Sequence, residues 1–150
     1  MTKTTFATEA DRQEAAGTWY LVDASEHVLG RMAVRIAEVL MGKNRPLYTP
    51  HMPVGAGVVV INAAKAQVTG NKREGRIYRR YTGYTNGLHE RSLGEYLERN
   101  PEELVKLAVR RMLPKTKLGK HMLSRLKVYS GAEHQHAAQQ PQPLKISPLE

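Results

Sequence analysis

Cysteine is absent from the 150 residues. That excludes a disulfide framework, a thiolate nucleophile, and zinc or iron–sulfur sites built on cysteine. No apolar run approaches the roughly 20 residues of a membrane span. The first residues carry no apolar h-region, and Glu9, Asp11 and Glu14 are out of keeping with a transit peptide, so a cytoplasmic protein is expected. Acids are in deficit: 14 Asp and Glu stand against 23 Lys and Arg, a formal net charge of +9. With 41% hydrophobic and 25% charged residues, the composition is that of a folded chain and not a disordered one. The length suits one domain with a core and is short for two. An excess of this size points to a polyanionic partner, most often nucleic acid.

The charge is unevenly placed. Up to Glu26, Lys3 and Arg12 face five acids. Between residues 101 and 131, eight bases face only Glu102 and Glu103. After residue 131, Lys145 faces Glu133 and Glu150. The folded part itself is basic, and the ends are slightly acidic.

Residues 1–17 are polar and show no sustained period, which predicts a flexible arm. Trp19 to Val22 predict a strand buried on both faces. Leu29, Met32, Ala33, Ile36, Ala37 and Leu40 form the stripe of an amphipathic helix, with Gly42 as its stop. Residues 43–57 read as a loop, and Val58 to Ile61 as a second buried strand. Strand, helix and strand in alternation predict parallel pairing with a right-handed crossover. Residues 76–82 read as a strand or an extended arm, and Gly83, Asn86 and Gly87 make the next stretch a loop. Ser92 with Glu95 has the spacing of a capping box. Asn100 and Pro101 predict a second cap, and Pro114 ends that helix. Leu118, Met122 and Leu126 suggest a short helix, Val128 and Tyr129 a last strand, and residues 132–150 an extended tail. A single α/β domain over residues 18–131 follows.

No catalytic constellation emerges. Gly55-Ala56-Gly57 precedes a strand, whereas a dinucleotide fingerprint follows one and opens a helix, so it reads as a turn. Gly70-Asn71-Lys72 echoes the end of a Walker A motif, but the lysine comes one residue late and Arg73 stands where Ser or Thr is needed. His134 and His136 lack a third metal ligand and read as surface histidines. His27, His51, His89 and His121 are scattered, with no triad partner. Asp23 ends the first strand, where it caps a turn or, in a rival reading, serves an α/β enzyme acting on a nucleotide or phosphorylated metabolite. That rival needs a phosphate-cradling glycine loop at a helix start, which the sequence lacks. No catalytic residue, cofactor or metal is therefore expected.

The basic residues do form constellations. Lys72, Arg73, Arg76, Arg79 and Arg80 are interleaved with Tyr78 and Tyr81. Arginine forks match phosphate oxygens, and tyrosine rings stack on unpaired bases. Arg110, Arg111, Lys115, Lys117, Lys120, Arg125 and Lys127 form a second cluster, and Lys43, Asn44 and Arg45 a third. Arg110 and Arg111 are accounted for by the helix dipole; Lys115, Lys117 and Lys120 are not. Three basic loops favour a broad polyanion-binding surface over a small pocket. Alanine at Arg79 and Arg80 would then lower the salt slope of binding by about two.

Motifs accumulate along the chain: Trp19-Tyr20-Leu21-Val22-Asp23-Ala24, Leu29-Gly30-Arg31, Tyr48-Thr49-Pro50-His51, Val68-Thr69-Gly70-Asn71-Lys72, Tyr81-Thr82-Gly83, Val109-Arg110-Arg111-Met112-Leu113-Pro114, Gly119-Lys120, and Leu126-Lys127-Val128-Tyr129-Ser130-Gly131. In this order they resemble the family of the bacterial large-subunit ribosomal protein numbered thirteen, over roughly residues 18–144. Tyr84-Thr85-Asn86 departs from the family's more Pro- and Gly-containing stretch. The resemblance implies a three-layer α/β fold with a mainly parallel central sheet, and a structural role with early entry into subunit assembly. It implies large-subunit ribosomal RNA and neighbouring ribosomal proteins as partners, without catalysis, cofactor, membrane or obligate homo-oligomer. Messenger RNA is a further partner that the same surface could take. Lys43, Arg45, Lys72, Arg73, Arg76, Arg79, Arg80, Lys115, Lys117 and Lys120 become the implied RNA contacts, joined by His51, Tyr81 and Thr82.

Overall fold

A computed structural model describes residues 5–146; the first four residues of the expected arm and the last four of the expected tail lie outside them. Helix α1 (Glu9–Gly17) corrects the arm expectation. Thr8 caps it: the Thr8 hydroxyl accepts from the Asp11 N–H, and the Asp11 carboxylate accepts from the Thr8 N–H at 2.7 Å. Within the helix Ala15 is the buried residue, so no stripe of large side chains marks it in the sequence.

Strand β1 (Trp19–Asp23), helix α2 (Leu29–Met41) and strand β2 (Gly57–Ile61) follow as predicted. All six residues of the predicted α2 stripe are buried. Gly42, at φ 80°, ends α2 with its N–H on the Glu38 and Val39 carbonyls. The Gly55-Ala56-Gly57 segment is a close packing contact. A Cβ on Gly55 would run into the Leu40 carbonyl, and one on Gly57 into the Trp19 indole.

A single turn, α3 (Lys72–Gly75), leads into β3 (Ile77–Tyr81) and β4 (Leu88–Ser92), an antiparallel hairpin outside the main sheet. Gly83, Asn86 and Gly87 lie in the expected loop, which is the hairpin turn, and β4 follows where no element was expected. Its residues show no apolar periodicity because its pairing is with β3 alone. Helix α4 (Leu93–Arg99) starts on the Ser92 hydroxyl, which accepts from the Glu95 N–H. Only that half of the expected capping box forms, since the Glu95 carboxylate pairs with Arg99. Helix α5 (Pro101–Met112) carries proline in its first turn, and Asn100 makes no side-chain cap. Helix α6 (Lys117–Ser124) is capped by Thr116 and hands over to β5 (Leu126–Val128), so Leu126 belongs to a strand and not to the predicted helix. In the tail, β6 (Gln142–Pro143) pairs with Tyr20 and Leu21. Pro143 lacks an N–H and is suited to such an edge.

The sheet order is β5-β2-β1-β6, and every pair is parallel. Side chains alternate along a strand, so Val22, Val58 and Val60 share one face. They pack with Ile36, Leu104 and Val109 in the main core under the helices. Leu21, Val59 and Lys127 share the other face. There the tail adds cover: the His136 ring stacks on Trp19 at 5.5 Å and meets Tyr129 edge-on at 5.8 Å. The described residues of the expected tail, 132–146, therefore pack against the fold. That cover is partial and leaves Trp19 and Leu21 half-buried; Tyr20 on the core face is half-buried too, so Val22 alone of β1 is fully buried, against the expectation of a strand buried throughout.

Candidate nucleic-acid interface

Directly opposed residues of a hairpin share a face, so β3 and β4 sort their side chains in two. Ile77, Arg79 and Tyr81 lie with Ser92, Glu90 and Leu88; Tyr78 and Arg80 lie with Arg91 and His89. Arg79 donates to the Glu90 carboxylate at 2.6 Å, so its charge is locally matched. Arg80 is exposed on the opposite face and has no such bond. Tyr81 stands 66% exposed near the hairpin tip. The Thr82 hydroxyl donates to the Gly87 carbonyl and closes the turn.

Tyr78 is the half-buried anchor of the hairpin. Its ring packs on Tyr96, and the Arg76 and Arg111 guanidiniums lie 5.5 and 5.3 Å from its centroid. The ring sits in a groove of about 390 Å³ bounded by the start of α2, the hairpin base and α5. Arg31, Lys72, Arg76 and Arg111 line it, and among the described residues no acidic side chain does. A second groove of about 760 Å³ adjoins it, the two sharing Leu107 and Arg111. Arg110, Lys115 and Lys120 line this one, again with no acid among the described residues. Lys117 is exposed at the start of α6. Arg73 and Lys65 line a shallower hollow that shares Gln67 and Val68 with the first groove. The tertiary structure thus joins the Lys72–Arg80 and Lys115–Lys120 segments into one surface.

The third basic loop stands apart, at the opposite end of the sheet. Arg45 donates to the Thr18 hydroxyl at 3.1 Å and borders a hollow with Asp11 and Glu14. Lys43 is exposed beyond the end of α2. His51 is exposed, with the Phe6 ring 6.3 Å away. Arg125, grouped by sequence with the second cluster, is internal: it donates to the Gly55 carbonyl at 2.6 Å. Burial, helped by the neighbouring Arg12 charge, lowers its pKa from the usual arginine value. Arg31, Lys65 and Arg91 are cations lining or bordering this surface that none of the sequence clusters included. Arg31 falls outside the buried stripe of α2, and nothing in the spacing tells which neighbour that side of the helix faces.

Asp23 is occupied structurally. One carboxylate oxygen accepts from the Ser25 N–H and hydroxyl at 2.9 and 2.7 Å, and the other from the Asn62 side chain at 3.0 Å. It ties the end of β1 to the end of β2. Burial pushes its pKa up, but the Ser25 and Asn62 bonds and the Lys65 charge outweigh it, and the net shift is downward. A lowered carboxylate contributes stability that is complete above its unfolded pKa and is lost as pH falls through the folded one. The melting temperature of wild type should therefore exceed that of Asp23→Asn most above about pH 5, and the gap should narrow on acidification below about pH 4. A gap independent of pH would remove the charge from this account.

His134 is likewise structural, its Nδ1 accepting from the His136 N–H. Among the described residues no cluster of His, Asp and Glu could hold a metal ion, and no helix is long and apolar enough to cross a membrane.

A parallel-sheet α/β protein whose conspicuous surface is an open, acid-free run of cations, and whose strand-end carboxylate is already bonded, belongs with basic structural proteins more than with nucleotide-processing enzymes. The comparisons with known proteins narrow this. The family model described as ribosomal protein L13 matches residues 17–135. The large ribosomal subunit protein uL13 of Geobacter sulfurreducens is 51% identical over 137 residues, 91% of this chain and 96% of its own length. That of Rubrobacter xylanophilus is 49% identical over 133 residues, 89% of this chain and 93% of its own. The chain belongs to the ribosomal protein L13 family, and as such is a structural ribosomal protein and not an enzyme.

Proposed function

We propose that this chain is a constituent of the large ribosomal subunit that binds ribosomal RNA and supports early subunit assembly. The observation that carries the reading is the pair of adjoining grooves that share Leu107 and Arg111 and, among the described residues, are lined by cations and no acid. Lys72, Arg73, Arg76, Arg80, Lys115, Lys117 and Lys120 supply the phosphate contacts on this surface. Tyr81, with Thr82 shaping the turn beside it, offers an exposed ring to RNA at the hairpin tip. Lys43, Arg45 and His51 form a second, smaller contact at the other end of the sheet. Neighbouring ribosomal proteins take the hairpin face of Ile77 and Leu88, where the Arg79–Glu90 pair cancels charge. The mechanism is neutralisation: cations fixed by a folded core replace mobile counterions and let RNA helices approach, while shape sets the register. A messenger RNA of similar shape would compete for the same surface.

The test is binding of the purified chain to large-subunit ribosomal RNA at two salt concentrations, with excess transfer RNA as competitor. Binding that resists the competitor and weakens steeply with salt is expected. Binding abolished by the competitor would reduce the protein to a generic polycation and overturn the reading.

A further inference from the structure

Gly30, the second residue of α2, has no structural reason to be glycine. Its φ is not in the left-handed region, and a Cβ built on it would meet nothing within 4 Å. Glycine is among the poorest helix formers, so the fold by itself favours another residue. Gly30 lines the first cationic groove, and so do Val34 and Met112, left 44% and 39% exposed. The groove therefore offers water an apolar floor, a bare stretch of helix backbone, and a rim of four cations.

We infer that this groove receives one unpaired nucleotide of the bound RNA, with its base against Gly30, Val34 and Met112 and its phosphate among Arg31, Lys72, Arg76 and Arg111. Charge complementarity chooses the occupant: among the described residues no acidic side chain lines the groove, so the ligand brings the negative charge. The apolar floor asks for a flat apolar face on the same ligand. A nucleotide joins the two, and its polar base edge meets Gln67 and Thr69, which also line the groove. Arginine guanidiniums already aligned on the Tyr78 ring provide a further stacking plane. The volume of about 390 Å³ lies at the small end of the range of about 300–1,000 Å³ typical of ligand sites. This inference rests on the RNA-binding reading and adds a base-accepting site to it.

The test fills the groove without changing its charge. Gly30→Leu in the full chain enters open space and should fold at least as well as wild type, as thermal melting will show. Its affinity for large-subunit ribosomal RNA should fall about 10-fold, the worth of one stacked base. The salt slope should hold, because the cations remain. One unpaired base protected from chemical modification in the wild-type complex should regain reactivity. Gly30→Ala, which adds a single methyl to the same wall, should fall between wild type and the leucine variant in affinity, with the salt slope again unchanged. If leucine lowers the melting temperature, Val34→Phe fills the groove from its exposed wall and replaces it. Unchanged affinity and unchanged base protection in a folded, filled variant would overturn this inference alone and leave the groove to an acidic protein segment. Failure of wild type to hold the RNA against transfer RNA would bring down the RNA-binding reading, and this inference with it.

Discussion

Alanine at both Arg76 and Arg111 should weaken binding to large-subunit ribosomal RNA by on the order of 100-fold and lower the salt slope by about two. Both guanidiniums lie against the Tyr78 ring, which restrains them before RNA arrives and reduces the entropy lost on binding. Both line a groove that holds no acid among the described residues, so neither must first break an ion pair with one of them there. Arg79→Ala is the internal control. Its guanidinium already pairs with Glu90 at 2.6 Å, and a phosphate gains little from a cation so held. Its slope change should be well under one, and that of Arg79 with Arg80 about one, below the two expected from sequence. The four side chains are exposed, so melting temperatures should stay near wild type. An Arg79→Ala effect as large as that of Arg76 or Arg111 would move the phosphate path to the other hairpin face.

Gly55→Ala should destabilise the fold by about 3 kcal/mol, a loss of about 6–12 °C in melting temperature for a chain of this size. The added methyl would collide with the Leu40 carbonyl, which is helix backbone and cannot rotate away as a side chain would. The same segment bonds to the end of α2 through the Ala56 N–H on the Val39 carbonyl. Displacing it also removes the Gly55 carbonyl from the half-buried Arg125 guanidinium. An internal cation without its acceptor adds to the cost. Gly55→Ala and Arg125→Ala should therefore combine to less than the sum of their effects, since they share one contact. A change under about 2 °C for Gly55→Ala would mean that the loop relaxes freely and the glycines serve an ordinary turn.

The elements legible in the sequence are those that bury large side chains at a regular spacing. The α2 stripe from Leu29 to Leu40 and the valines of β2 announce themselves because each buried position carries a bulky group. α1 escaped because its buried residue is an alanine, although Thr8 and Asp11 have cap spacing. β4 escaped because a strand paired on one side, away from the core, needs no apolar alternation. β6 escaped because its two residues are held by the edge of β1 and not by any pattern of their own. The candidate site was legible as residue types and not as a place. Arg76 and Lys120 read as two separate loops, and Arg125 read as part of the surface.

What the sequence by itself determined is the α/β class, the excess of cations in the folded part, the absence of cysteine chemistry, and the family. These depend on composition, on local periodicity and on motifs in order, all carried by neighbouring residues. What only the tertiary structure decided is which cations work together. Packing of α5 between α2, α4 and α6 brings Arg111 beside Arg31 and Arg76 on one side and Lys120 on the other. The same packing turns Arg125 inward onto Gly55, and hairpin register hands Arg79 to Glu90. Coulomb energy depends on separation in space and on the acids nearby, and neither is a function of distance along the chain.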